Sequence, residues 1–157
     1  MGNFGIFPYQ EFDITIEIFD RNIFSISYLL IGGEKMRASR GEIKIEEILK
    51  EKGIVFEEEY SFPDLVSISG HPLRFDFAVF DDEGNLDFLI EYQGIQHYEA
   101  KSKFGGYTGL RKQQYNDMQK RVYCKEHNII LIAIPYTDEG RLTYDYIMNA
   151  YYSQGGY

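Results

Sequence analysis

Apolar and polar positions fall into short runs that predict an ordered series of elements. Near the N-terminus, Ile14 to Phe19 alternates apolar with polar, and Ile23 to Ile31 is almost continuously apolar. Asp20-Arg21-Asn22 between them supplies a turn, so residues 1–36 read as a small β element with a Gly32-Gly33 linker at its end. The period then lengthens. From Ser39 to Gly53, Ile45, Ile48, Leu49 and Lys52 line one face of a helix. Ser39 and Glu42 fit a capping box, and Gly53 is the stop. Ile54 to Phe62 predicts a strand with an exposed acidic centre, Glu57-Glu58-Glu59, ended by Pro63. After a loop from Asp64 to Pro72, two strands beginning at Leu73 and Leu86 flank Asp81–Asn85, whose Gly and Asn predict a hairpin turn. A glycine-containing loop (Gly105, Gly106, Gly109) leads to a long helix, Leu110 to His127, with Asn128 as its stop. Leu110, Tyr115, Met118, Val122 and Cys124 would be its buried side. Ile129 to Pro135 is unbroken apolar sequence and predicts a central strand covered on both faces. Thr143 to Tyr152 predicts a terminal helix before a polar tail.

This order gives an α/β class: an α/β/α arrangement around a mixed sheet. Residues 37–136 would form the core, and 137–157 a C-terminal helix and tail. A chain of 157 residues that is 44% hydrophobic can bury a real core. No apolar run approaches the ~20 residues of a membrane span, and the first residues lack a signal peptide's pattern. With one cysteine, Cys124, there is no intrachain disulfide and no cysteine-based zinc site. The expectation is a soluble cytoplasmic protein.

The strand end after Leu86 carries the chemistry. LDFLIEYQGIQHYE places Glu91 at the end of an apolar strand, breaks at Gly94, then presents Gln96, His97 and Tyr98. Asp76 is a charge set among aromatic and aliphatic residues on the preceding strand. An aspartate there is costly without partners. The hairpin would bring Asp76 and Glu91 onto neighbouring strands, close enough to share a divalent cation.

Net charge is −9, which at face value disfavours nucleic acid. Its distribution changes that conclusion. Between Ala100 and Lys125 there are seven basic residues, Lys101, Lys103, Arg111, Lys112, Lys120, Arg121 and Lys125, against the single acid Asp117. Screening beyond roughly 10 Å lets such a stripe attract a polyanion even on an acidic protein.

Taken together, Ser39-x-Gly41-Glu42, Leu73-Arg74-Phe75-Asp76-Phe77, Ile90-Glu91-Tyr92-Gln93-Gly94-x-Gln96-His97-Tyr98, Asp117-x-x-Lys120 and Ile134-Pro135-Tyr136 resemble a class of nucleases. The resemblance is to the PD-(D/E)XK superfamily, in its EDxHD branch of phage-type homing endonucleases related to very short patch repair endonucleases. It covers roughly Arg37 to Tyr136 and implies a restriction-endonuclease-like core. It also implies metal-dependent phosphodiester cleavage: Asp76, Glu91 and the Tyr92 carbonyl as ligands to Mg²⁺, for which Mn²⁺ may substitute, and Glu42 near the same ion. The superfamily's lysine is replaced by Gln93, which shares a strand face with Glu91 and has no charge. His97 and Asp117 match the branch's added pair, and Lys120, one turn from Asp117, would restore the positive charge.

The resulting expectation is a Mg²⁺-dependent DNA endonuclease with Glu42, Asp76, Glu91, Gln93, His97, Asp117 and Lys120 in the site. Gln96, Lys101, Lys103, Arg111, Lys112 and Arg121 would contact DNA. Glu42 capping a helix and Glu42 in catalysis are compatible. A non-catalytic nucleic-acid-binding module on the same fold is the alternative, and a glycosidase using paired carboxylates is a weaker one. No helix-turn-helix or zinc finger is evident, so target specificity would come from loops, the front β element or a homodimer.

Overall fold

The structure, a computed structural model, describes residues 38–99 and 105–156, and of Gln96 only the backbone. The predicted N-terminal β element, Lys101 and Lys103 lie outside the described residues.

Helix α1 (Arg40–Glu51) begins at the predicted capping box: the Glu42 amide donates to Ser39 Oγ at 3.2 Å, and the Ser39 amide to Glu42 Oε2 at 3.2 Å. Ile45 and Leu49 are fully buried beneath it. Strands β1 (Phe56–Val66), β2 (Pro72–Phe80) and β3 (Leu86–Gln93) form an antiparallel meander, and β4 (Ile130–Pro135) runs parallel to β3. The class is α/β with a mixed four-stranded sheet. Asp81 shapes the β2–β3 turn by accepting from the amides of Glu83 and Asn85 at 2.9 and 2.8 Å.

Two strands differ from the sequence expectation. β1 runs through Pro63 to Val66, because it is an edge strand among the described residues, where a missing N–H breaks no ladder bond on its free side. Its pairing with β2 shifts between Ser61 and Val66, around that proline. β4 is also an edge of the described sheet and is not central. Its unbroken apolar sequence conceals an alternation, with Ile132 and Ile134 buried and Ala133 exposed.

Side-chain alternation divides the core between the two sheet faces. One face packs Phe77, Val79, Phe88, Ile90, Tyr92, Ile132 and Ile134 under α1 and α3 (Tyr144–Ser153), which contribute Ile45, Leu49, Ile147 and Tyr151. The other packs Leu73, Phe75, Ala78 and Leu89 against Cys124 of α2 (Gly106–Glu126). The division breaks at one point: Leu73 and Phe75 lie on the α2 side, yet Phe77 and Val79 lie on the α1 side. Asp76 stands at the break, so it does not occupy an ordinary pleat position.

Helix α2 overturns the expected packing most clearly. Tyr115, Met118 and Val122 are 37, 47 and 45% exposed, while Asp117, Lys120 and Cys124 are buried. Gln113, Asp117, Lys120 and Cys124, at helical spacing, form the inward stripe. The helix turns its polar face to the sheet because partners for those groups wait there. Among the described residues, no helix is long and apolar enough to cross a membrane.

Candidate active site

Antiparallel pairing of Phe77 with Ile90 places Asp76 opposite Glu91 at the open end of β2 and β3. The Tyr92 amide donates to Asp76 Oδ2 at 2.6 Å. Even so, the Asp76 carboxyl is pushed up to about 8, first by burial, then by the Glu91 charge; the Tyr92 bond opposes this, Glu42 adds to it, and Lys120 offsets part. Glu91 is also raised by burial, against the nearby Lys120. Lys120 reaches down from α2 to Glu91 Oε1 at 2.5 Å, with its ammonium 5.3 Å from the centre of the Phe75 ring. Both members of the pair are buried, and Glu91 Oε2 has no hydrogen-bond partner among the described residues.

Lys120 thus brings a positive charge to Glu91, two residues before Gln93 on β3. Gln93 lies buried on the same strand face as Glu91, and its side-chain oxygen accepts from the Tyr98 hydroxyl at 2.6 Å. After the Gly94 break, a 3-10 turn (Ile95–His97) carries His97 back over the strand end. His97 Nδ1 lies 2.8 Å from Asp117 Oδ2, both residues buried, and Gln113 Nε2 donates to Asp117 Oδ1 at 3.0 Å. A proton on Nδ1 satisfies Asp117 and leaves the Nε2 lone pair to accept one. Gln113 was not among the residues singled out from sequence; its signal was the four-residue spacing to Asp117. Glu91, Gln93, Asp117, Lys120 and Arg121 also border a cavity of about 10 Å³, the room of one water.

Glu42 approaches from the opposite layer. Its carboxylate accepts from Ser39 Oγ at 2.8 Å and from the Ser39 amide, so capping is realised, and its charge is close enough to act on Asp76. The start of α1 is held there by Glu139, which the sequence reading did not single out. Tyr92 Oη donates to Glu139 Oε2 at 3.0 Å, Arg40 meets Glu139 Oε1 at 3.3 Å, and Lys44 Nζ donates to the Glu139 carbonyl at 2.8 Å. Gly41 permits the approach, since a Cβ there would overlap the Tyr92 ring. Gly41→Ala should therefore destabilise the fold by about 1–3 kcal/mol, measured by urea unfolding. An unchanged midpoint would mean that the ring swings aside at little cost.

With this geometry in view, comparison with known proteins gives viral relatives. Protein 307L of Invertebrate iridescent virus 6, described as uncharacterized, is 28% identical over 135 residues, covering 78% of this chain and 68% of the relative. The uncharacterized protein 094L of Frog virus 3 (isolate Goorha) is 51% identical over 55 residues, 34% of this chain and 36% of the relative. The uncharacterized protein 033L of Invertebrate iridescent virus 3 is 32% identical over 108 residues, 68% of this chain and 54% of the relative. The chain thus spans well under two thirds of the latter two. No family model matches, and no solved structure matches.

Of the residues expected to meet DNA, Arg111, Lys112 and Arg121 are exposed along α2, and Arg121 borders an open cleft beside His97. Among the described residues, no three His, Cys, Asp or Glu side chains form a metal-holding group. A cation would have to be held by the Asp76–Glu91 pair, with water completing its shell. Two features fit that role: the hard carboxylates of Asp76 and Glu91 are close enough for the Glu91 charge to act on Asp76, and one buried Glu91 oxygen lacks a hydrogen-bond partner among the described residues. Tyr92 gives its N–H to Asp76 and its phenol to Glu139.

Proposed function

We propose that this protein is a divalent-cation-dependent DNA endonuclease of the EDxHD branch of the PD-(D/E)XK superfamily. The observation that carries the reading is the pairing of Lys120 with Glu91 beside the His97–Asp117 bond. A strand-borne lysine is missing at Gln93, and a helix supplies its charge to the same carboxylate. Glu91, His97, Asp117 and Lys120, from three separate elements, lie together at one end of the sheet, which supports this reading. A structural ion pair alone would not require a histidine–aspartate pair to be buried beside it.

In this reading Asp76, Glu91 and the Tyr92 carbonyl would hold Mg²⁺ or Mn²⁺, which would neutralise phosphate charge and lower the pKa of water. Burial, and for Asp76 also the neighbouring Glu91 charge, raises both carboxyls, and a bound cation would offset that cost. Lys120 holds Glu91 in place and opposes the rise that burial causes. His97, held through Nδ1 by Asp117, takes a proton from the attacking water at Nε2. Glu42 adds negative charge beside Asp76 while its capping bonds fix it. Arg111, Lys112 and Arg121 supply phosphate contacts along α2.

The test is incubation with plasmid, linear and single-stranded DNA in Mg²⁺, Mn²⁺ or EDTA. Cleavage is expected with either metal and none with EDTA. His97→Ala should slow cleavage about 10²-fold or more while leaving DNA affinity nearly unchanged. Wild-type cleavage by that variant would make His97 structural. Tight DNA binding without cleavage in any metal would favour the non-catalytic module.

A further inference from the structure

The open cleft beside His97 has a volume of about 320 Å³ and is lined by Gln93, His97, Tyr98, Gln114, Asp117 and Arg121. We infer that it is a subsite for one unpaired nucleotide, with the base laid against the Tyr98 ring and the phosphate met by Arg121. The inference rests on the nuclease reading for the class of ligand and adds to it the state in which the substrate is taken.

Tyr98 carries the argument. A surface tyrosine ordinarily buries its ring and sends its hydroxyl to water. Here the hydroxyl is tied inward to Gln93 Oε1 at 2.6 Å, while the residue remains 48% exposed. A second ring, Tyr136, sits 5.7 Å away at 55° and buttresses it. The ring is therefore fixed before any ligand arrives, so little side-chain freedom is lost on binding.

The other walls suit a nucleotide. Arg121 is exposed and close enough for its charge to act on the Tyr98 phenol. The Gln93 amide, its oxygen already accepting from Tyr98, can offer its N–H donors to a ligand. His97 and Asp117 form another wall, which puts the bound nucleotide next to the bond to be cut. Bases in a duplex have both faces covered by their neighbours. Only a base outside the stack can lie on a protein ring.

The experiment compares three labelled oligonucleotides of equal length: a full duplex, the same duplex with a one-nucleotide bulge, and a single strand. Binding is followed by anisotropy in Ca²⁺, and cleavage in Mg²⁺. In the bulged substrate, 2-aminopurine at the unpaired position reports stacking by fluorescence quenching. The wild-type protein should cut beside the bulge about tenfold faster than in the duplex and quench the probe. Tyr98→Leu should lose both the preference and the quenching, whereas Tyr98→Phe, which keeps the stacking ring but loses its tie to Gln93, should keep the quenching with a smaller preference. Circular dichroism shows that each variant folds. Equal treatment of bulged and paired DNA by the wild type, or a preference that survives in Tyr98→Leu, overturns the subsite and leaves the nuclease intact. Failure to bind or cut any of the three overturns both.

Discussion

Asp76→Asn should abolish metal-dependent cleavage and, in metal-free buffer above pH 8, raise the melting temperature. The two effects have one cause. Folding takes the Asp76 carboxyl from an ordinary value near 3.8 to about 8, chiefly through burial and then through Glu91. A raised carboxyl favours folding fully below its unfolded pKa, and that contribution is lost as pH rises through the folded one. Metal-free wild-type protein should therefore lose stability between about pH 4 and pH 8, by an amount on the order of a few kcal/mol. Asparagine has no charge to bury, and its oxygen can still accept the Tyr92 N–H, so the variant should lack this slope. Mg²⁺ should stabilise the wild type most at pH 8 and above, and the variant hardly at all. Cleavage should fall by about 10³-fold or more, because one of the two carboxylates proposed to hold the cation is gone. The decisive measurement is a melting series from pH 5 to 9 with and without Mg²⁺. A variant less stable than wild type at pH 9 without metal would show that another group already compensates Asp76.

A buried carboxylate that weakens the metal-free fold runs against stability and accords with the proposed site. It also explains which parts of this molecule were legible in the sequence. The capping box at Ser39 and Glu42, the Asp81–Asn85 turn and the facing of Asp76 and Glu91 follow from local rules, and all three are present. The conjunction of His97 with Asp117 and of Lys120 with Glu91 came only from resemblance to a family, since each pair joins distant elements. Hydrophobic periodicity misread α2 for a physical reason. It assumes that apolar side chains face inward, but the sheet end offers Glu91 and His97, and charged groups with partners are worth burying there. Tyr115, Met118 and Val122 are left outside as a result. Periodicity also cannot tell an edge from a centre: β4 reads as central because Ala133 is apolar, although it is exposed. Glu139 and Gln113 act through bonds to residues that no local pattern connects to them. The proline in β1 marked an edge rather than an end.

The second large effect is expected at Lys120. Replacing it with Met keeps an aliphatic side chain of similar length but removes the cation that, among the described residues, bonds to Glu91. Breaking a buried ion pair from one side typically costs about 3–5 kcal/mol, because the remaining charge has no compensation. Glu91 is 6% exposed, and among the described residues its second oxygen has no hydrogen-bond partner, so Lys120→Met should fall in this range near neutral pH. The loss should shrink as pH is lowered, since protonating Glu91 removes the stranded charge. Cleavage should be lost along with stability, and a second substitution separates the two. In Lys120→Met with Glu91→Gln there is no buried charge to strand, so much of the stability should return while cleavage stays absent. In Lys120→Met with Gln93→Lys, the new lysine stands on the same strand face as Glu91, two residues away, where the superfamily ordinarily carries it. That variant should recover stability and part of the cleavage rate together. Recovery of stability without any cleavage would mean that the helix-borne lysine does more than neutralise Glu91. A Lys120→Met protein as stable and as active as wild type would remove the ion pair from the site altogether. The comparison therefore asks whether the charge or its point of attachment is what the chemistry needs, and the geometry around Glu91 favours the charge.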